Sequence, residues 1–297
     1  MLRVNDFLVI VIKSVLLCAM LLFSLAASSQ ELKKVRYPQV LVKSIYQNQL
    51  NYFFEVLKLA LDKSDLAHQI DIVDIPDLAQ TRSQWLIQQG YYDIHWLASS
   101  IERESELLPV RIPLYKGLLG LRIGFVNSNK ANIMANIAGL DQLKLLIIGQ
   151  GRDWMDTKLL NYHQFKLMEA STTPALFDML KVKRIDYFPR SILEIDYESQ
   201  QVSASGLSID PHIALYYPQT VYFFVRKDNI ALHDHVLKGL NIAINDGSFQ
   251  QIFDRYFGET IARAQLDKRR IFKLSNPFLP PLTPLDDKRL WHPLTFE

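Results

Sequence analysis

Hydrophobic and polar positions alternate along this chain in two rhythms that trade places. Residues 34–42 are β-rich and predict an opening strand. Residues 48–62, NQLNYFFEVLKLALD, then place Leu50, Phe53, Phe54, Leu57 and Leu61 at helical spacing, a single apolar stripe that needs a core beneath it. The next segment, 69–75 (QIDIVDI), alternates with period two and predicts a half-buried strand. A second helix is predicted over 78–89, ended by Gly90, and a third strand over 92–97. Strand, helix, strand, helix, strand at these lengths describes an open α/β sheet with mostly parallel neighbours.

The pattern then restarts. Residues 118–126 (LLGLRIGFV) are strand-like, 143–149 (LKLLIIG) form a buried strand that opens into the turn GQGRDW, and 174–180 predict a short helix. More strand is predicted over 184–188 and 214–225, followed by a long helix over 232–245 with Asp246-Gly247 as its stop, and another over 249–257. No internal repeat is visible. The order divides the chain into a first lobe over 30–116, a second over 117–218, a return to the first over 219–275, and an extended C-terminal segment, 276–297, that holds five of the 13 prolines. A lobe inserted between two crossings of the backbone is a hinge architecture, here with its hinge near 115–117 and 217–220.

Residues 1–29 change the picture of where the chain works. Arg3 and Lys13 precede an apolar run over 14–27 that ends in Ala26, Ala27, Ser28 and Ser29, the layout of a cleaved secretory signal. An uncleaved anchor is the alternative, because the apolar stretches on either side of Lys13 together approach a bilayer's thickness. Cys18, the one cysteine, lies inside this leader behind Leu17, where a lipoprotein signal requires a small residue. Removal of the leader takes away Arg3, Lys13 and Asp6 and leaves 31 basic and 30 acidic residues, a net charge of +1. That balance points to neither nucleic acid nor a membrane surface as partner. A mature chain without cysteine also has no disulfide framework, thiol nucleophile or cysteine-held metal.

Three stretches resemble the bacterial extracellular solute-binding proteins of family 3, which have the type II periplasmic-binding-protein fold. DIHWLASSIERESELLPVRIPLYKGLLGLRIG, residues 93–124, is similar to the family's strand, Ser/Thr turn, Glu-Arg pair and Pro-Tyr hinge. LKLLIIGQGRDW (143–154) with LFDMLKVKRIDYF (176–188) resembles the second-lobe strand, its glycine turn, and the helix and Asp that open the next strand. FFVRKDNIALHDHVLKGLNIAINDGSFQQIFDRYFG (223–258) resembles the return strand with its Arg-Lys, a helix, an acidic-Gly turn and a closing helix that ends in Tyr-Phe-Gly.

The resemblance implies a two-lobe α/β fold, each lobe a mixed, mostly parallel sheet flanked by helices, with a two-strand hinge and a ligand in the cleft. It also implies roles for particular residues. Arg103 matches the position that binds a ligand carboxylate, a task suited to a guanidinium fork; pairing with Glu102, Glu104 or Glu106 is the plain alternative. Ser99 and Ser100 match the donors to the same carboxylate, and Trp96 and Tyr115 are placed to wall the cleft. Arg152 stands where the family has Thr or Ser, beside Trp154. Arg190 and Ser191 stand where an acidic residue receives an α-ammonium. A second cation opposite Arg103 implies a ligand with more than one anionic group, whereas a structural pair between Arg190 and Glu194 or Asp186 implies nothing about the ligand.

Chemistry of other kinds leaves no mark. The seven histidines lack the spacing of a catalytic zinc site, His233-Asp234-His235 lies at a helix start where alternate side chains diverge, and no nucleophile elbow, phosphate loop or dinucleotide fingerprint occurs. The sequence therefore predicts a monomeric periplasmic solute-binding protein without cofactor or metal. It would capture a small carboxylate-bearing molecule for an ABC transporter. The alternatives are a dehydratase-like periplasmic enzyme of the same fold and a ligand-sensing module of a membrane signalling protein.

Overall fold

A computed structural model describes residues 32–40, 47–76, 80–130, 132–152, 154–202 and 205–294. The predicted signal segment, 1–29, lies outside them. Among the described residues no helix is long and apolar enough to cross a membrane.

The first lobe opens with β1 (Lys33–Val40), α1 (Gln47–Lys63), β2 (His68–Ile75), α2 (Gln80–Gln88), β3 (Ile94–Ala98), α3 (Ile101–Glu106) and β4 (Leu107–Val110). Strands β1 and β2 pair in parallel, from Lys33 opposite His68 to Val40 opposite Ile75. Of the stripe read in the sequence, Phe53, Leu57 and Leu61 enter the core together with Tyr52, Val56 and Ala60, while Leu50 and Phe54 are only half-buried.

The second lobe contains β5 (Leu121–Asn127), α4 (Asn132–Ala135), α5 (Leu140–Leu143), β6 (Ile147–Gly151), α6 (Met155–Tyr162), β7 (Lys166–Ala170) and α7 (Thr173–Lys181). It continues through β8 (Phe188–Ser191), α8 (Ile192–Val202), β9 (Leu207–Ile209) and β10 (Ile213–Tyr216). Strand β5 is buried at every position, which is why its sequence shows an apolar run without alternation. It pairs antiparallel with β8, β9 and β10, while β6 and β7 pair in parallel.

The chain returns through β11 (Val221–Arg226) to α9 (Ile230–Asn245) and α10 (Ser248–Ala264). Strand β11 inserts antiparallel between β3 and β4. The expected mostly parallel neighbours are thus found at β1–β2 and β6–β7, and antiparallel pairs surround β5 and β11. The cause is the hinge: the return crossing runs opposite to the outgoing one, and the strands that continue the two crossings keep that sense. The crossings touch where Leu114 N–H donates to the Val221 carbonyl at 2.9 Å and Tyr217 N–H to the Gly120 carbonyl at 3.1 Å. The continuous strand expected over 214–225 is two strands in different sheets, divided by 217–220. Pro218 there has no N–H to give to a ladder.

The return to the first lobe ends earlier than the sequence reading placed it. Strand β12 (Arg270–Lys273) joins the second lobe's sheet, parallel to β10, so the boundary drawn at 275 falls after a change of lobe. Beyond it the proline-rich segment follows the back of the hinge. Leu274 N–H donates to the Tyr216 carbonyl, Asn276 Nδ2 to the Pro218 carbonyl and His292 N–H to the Lys116 carbonyl, each at 2.8 Å. Trp291 covers Gly117, whose φ of +79° and lack of a side chain both suit the tight approach of the indole. Arg289 Nη1 reaches Asn245 Oδ1 of α9 at 3.0 Å. One segment therefore ties both crossings to both lobes.

Helices α1 and α9 cross at Gly239, where an added Cβ would stand 1.7 Å from the Ala60 carbonyl oxygen. Gly239→Ala should therefore destabilise the protein by about 2 kcal/mol, in the range of overpacked cores. Gly139→Ala, with nothing within 4 Å, should be nearly silent. Urea melts of the two variants check both.

Candidate functional site

A cavity of about 520 Å³ lies between the carboxyl ends of β1 and β3, the amino end of α1, the two hinge crossings and α8 of the second lobe. Its walls are rings, Tyr37, Phe54, Trp96 and Tyr115, and side-chain amides, Gln39, Gln47, Gln49 and Asn51. Among the described residues Glu194 is the one carboxylate or cation that lines it. Packing fixes the rings. Trp96 stacks on Phe53 with centroids 4.3 Å apart and planes 16° apart, and Tyr115 stacks on Tyr52 at 6.0 Å and 8°. At the rim Gln49 Nε2 donates to the Leu193 carbonyl at 2.7 Å, a bond from the first lobe to the second.

His95 also lines the cavity. Its Nδ1 is 2.6 Å from Ser83 Oγ, and that oxygen is 2.6 Å from the Tyr92 hydroxyl. The residue is half-buried, with one side of the ring against the first-lobe core, and burial pushes its pKa down to about 3, so His95 is neutral at physiological pH.

The second lobe presents a network of charges. Arg190, on β8, lays its guanidinium across Glu198 with Nε 2.8 Å from Oε2 and Nη2 2.6 Å from Oε1. Glu194 Oε2 is 3.3 Å from Arg190 Nη2 and 3.6 Å from Arg122 Nη1. Arg122 Nη2 also meets Asp156 Oδ1 at 2.7 Å, and its Nε donates to the Tyr217 hydroxyl at 3.1 Å. Burial pushes the Glu198 carboxyl up in pKa, and the Arg190 fork pulls it back. The Trp154 ring lies under the Arg190 guanidinium, 4.5 Å from its centroid to Cζ.

These contacts revise the sequence reading of Arg190. Its charge is met by Glu198 and Glu194, so it is not an open cation facing Arg103. Asp186, the other expected partner, instead accepts from Lys130 Nζ at 3.0 Å and from the Ile147 N–H at 3.1 Å. Trp154 stacks against Phe188 and serves Arg190. Ser191 is buried, its hydroxyl accepting from the Leu193 N–H at 3.3 Å. Arg152 is exposed, and its N–H donates to the Ala170 carbonyl at 3.0 Å. None of these four lines the cavity.

On the first lobe, Trp96 and Tyr115 do line it. Arg103 is buried, donating from Nε to Gln84 Oε1 at 3.1 Å and from Nη1 to the Ala98 carbonyl, with Glu102 near enough to favour its charge, and like Ser99 and Ser100 it does not line the cavity. Ser100 caps α3 by accepting from the Arg103 N–H at 3.1 Å. Ser99 Oγ donates to Glu104 Oε1 at 2.6 Å. The tempting His233-Asp234-His235 group splits as its helical position requires: His233 Nδ1 is 2.7 Å from Asp234 Oδ1, and His235 Nδ1 is 3.3 Å from the Ser64 carbonyl.

Sequence reasoning missed Glu194 as a cavity residue, along with Glu198, Arg122, His95 and Ser83. One signal existed: Arg190, Glu194 and Glu198 recur every fourth residue, the spacing of one helical row.

Comparison with known proteins shows the fold. No family model matches the chain, and no curated protein matches it. The amino-acid sequence is 17% identical to the probable amino-acid ABC transporter extracellular-binding protein ytmK from Bacillus subtilis, whose structure superposes with a TM-score of 0.58 over 77% of this chain and 99% of that one. The BvgS VFT2 domain of Bordetella pertussis is 18% identical, with a TM-score of 0.54 over 75% of this chain and 93% of that domain. An ancestral arginine-binding protein bound to arginine is 16% identical, with a TM-score of 0.51 over 75% and 98%. The chain therefore has the two-lobe α/β fold of periplasmic binding proteins.

Two outcomes follow from the charges. Glu198→Gln leaves Arg190 half-paired in a buried place and should cost about 3 kcal/mol, whereas Arg152→Ala, an exposed change, should stay within about 0.5 kcal/mol by chemical denaturation. His95 titrates near 6.5 in the unfolded chain and near 3 in the folded one, so the unfolded state binds the extra proton and stability falls as pH drops below 6.5. Between pH 7 and pH 5 this residue should remove about 2 kcal/mol, and urea melts of His95→Gln should lack that part of the pH dependence.

Proposed function

We propose that this chain is a periplasmic solute-binding protein that captures a small carboxylate-bearing molecule between its lobes and delivers it to an ABC transporter, with no turnover. The observation that carries this reading is the cavity itself: lined from both lobes beside the hinge and walled by stacked rings and amides, it is shaped to hold a small molecule. Trp96 and Tyr115 supply flat walls. Arg103 and the Ser99–Ser100 turn lie outside the lining, next to Ala98, so the ligand carboxylate meets the neutral amide donors of Gln39, Gln47, Gln49 and Asn51 instead. The second lobe contributes Glu194, so the ligand also carries an amino or other donor group. Closure biases a two-state hinge, because ligand contacts made on both lobes exist only in the closed form. The leader at 1–29 directs the chain to the periplasm, where it acts as a monomer without cofactor.

The similarity to binding proteins supports the same reading at the level of fold, and the internal neutralisation of Arg190 narrows it. Among the described residues no lysine or arginine lines the cavity, so a ligand's anionic group is met there by neutral donors.

The test is a thermal-shift screen of the purified protein against amino acids, dicarboxylates, keto acids and small peptides. A ligand at a hundredfold excess over its Kd stabilises the folded state by about 2.7 kcal/mol, a rise of several degrees in Tm. One compound class should give that rise and lose most of it in Glu194→Gln. Absence of a rise with every compound, or chemical conversion of the hit, contradicts the reading.

A further inference from the structure

We propose that His95 is a specificity-determining residue of the cleft, a neutral imidazole that donates from Nε2 to an acceptor oxygen or nitrogen of the bound molecule; this rests on the cleft being the ligand site. The argument is one of proton placement. The Tyr92 hydroxyl is 2.6 Å from Ser83 Oγ and 3.2 Å from the Ser83 carbonyl. The phenol has one proton for two acceptors, and the shorter contact, 2.6 Å to Oγ against 3.2 Å to the carbonyl, takes it, as expected also from the phenol being the stronger acid of the two hydroxyls. The serine proton then points at His95 Nδ1, 2.6 Å away, which must accept it. A neutral imidazole has one N–H, and with Nδ1 accepting, that hydrogen is on Nε2. Chains of this kind strengthen each link in turn, which holds the tautomer and the ring orientation together.

The far side of the ring is where the ligand comes in. His95 lines the cavity, and among the described residues no protein acceptor meets its Nε2. Burial keeps the ring from taking a second proton, so it recognises an acceptor by hydrogen bonding and offers no positive charge. Glu194, on the second-lobe side of the same cavity, accepts and does not donate. The two residues give the site a polarity: a carbonyl, carboxylate or ring-nitrogen acceptor turned to the first lobe, and a donor group turned to the second. A site built around one such donor discriminates strongly against analogues that lack the matching acceptor, because its own N–H would then be buried unpaired.

The experiment uses protein labelled with ¹⁵N-histidine, with His95→Gln to assign the signal, and long-range ¹H–¹⁵N spectra from pH 5 to pH 8. The probes are the twenty common amino acids, succinate, malate, pyruvate, 2-oxoglutarate and simple dipeptides, ranked first by thermal shift. His95 should show one neutral tautomer with the proton on Nε2 throughout, and the Nε2 shift should move when the best probe saturates. Binding of that probe should fall by roughly 10- to 100-fold in His95→Phe and stay within about fivefold in His95→Gln, which keeps a donor. The Nδ1-protonated tautomer, an Nε2 signal that ignores the probe, or undiminished binding in His95→Phe would each overturn the inference while leaving the cleft as the ligand site. If no probe binds, the cleft reading fails and this inference fails with it. Should His95→Phe not fold, the Nε2 response in the unmodified protein decides.

Discussion

Two arginines buried on neighbouring strands set the terms for the second lobe. Arg122 on β5 lies across from Ser191, and Arg190 across from Ile123, in the antiparallel β5–β8 pair. Buried cations are tolerable only when paired and hydrogen-bonded, since taking each from water costs several kcal/mol. The chain answers with three carboxylates, Asp156 from the first turn of α6 and Glu194 and Glu198 from α8. For the last two to reach, α8 must start immediately after β8, and it does. The pinned helix is also what the first lobe meets: Gln49 bonds to Leu193, while Thr260 and Arg263 of α10 bond to Asp196. Charge neutralisation inside one lobe thereby fixes the face it presents to the other, and it leaves Glu194 at the cavity wall.

The hinge is constrained from the opposite side. The crossings are anchored by their own backbone bonds and by the proline-rich segment, which links β12 in the second lobe first to α9 and then to Gly117 and Lys116. Lobe motion must then occur with this strap in place or by sliding along it. Proline suits the segment because it needs few backbone partners and favours turns; the extended chain expected from the sequence is instead a succession of turns with a 3-10 turn over Lys288–Leu290.

Much of the fold could be read from the sequence wherever a period was sustained. The helix expected over 48–62 is Gln47–Lys63, and the one over 232–245 is Ile230–Asn245. Short elements made by tertiary contact were not legible. β12 has four residues and is a strand because β10 lies beside it; the strand expected over 184–188 begins only at Phe188, after a turn in which Lys183 adopts a φ of +61°. The missed helix α8 had the largest consequence for the site. Its sequence, ILEIDYESQQV, mixes acids with apolar residues on more than one face, so no stripe stands out. The rings Trp96 and Tyr115 were legible as cavity walls, whereas Arg190 and Arg152 were placed by their positions in the family resemblance, and position does not reveal whether a cation already has its partner. His95 was invisible for a related reason: its meaning comes from Ser83 and Tyr92, brought to it by α2 and the turn before β3.

The central claim is that a small molecule occupies the cavity against Trp96. The most direct measurement is tryptophan fluorescence during titration with the compound that most raises Tm, in the unmodified protein and in Trp96→Phe, which keeps the ring stack on Phe53. A saturable emission change that disappears in Trp96→Phe, at concentrations matching the thermal stabilisation, is the result this account predicts. Stabilising binding that leaves the emission of Trp96 untouched would place the ligand elsewhere and contradict it.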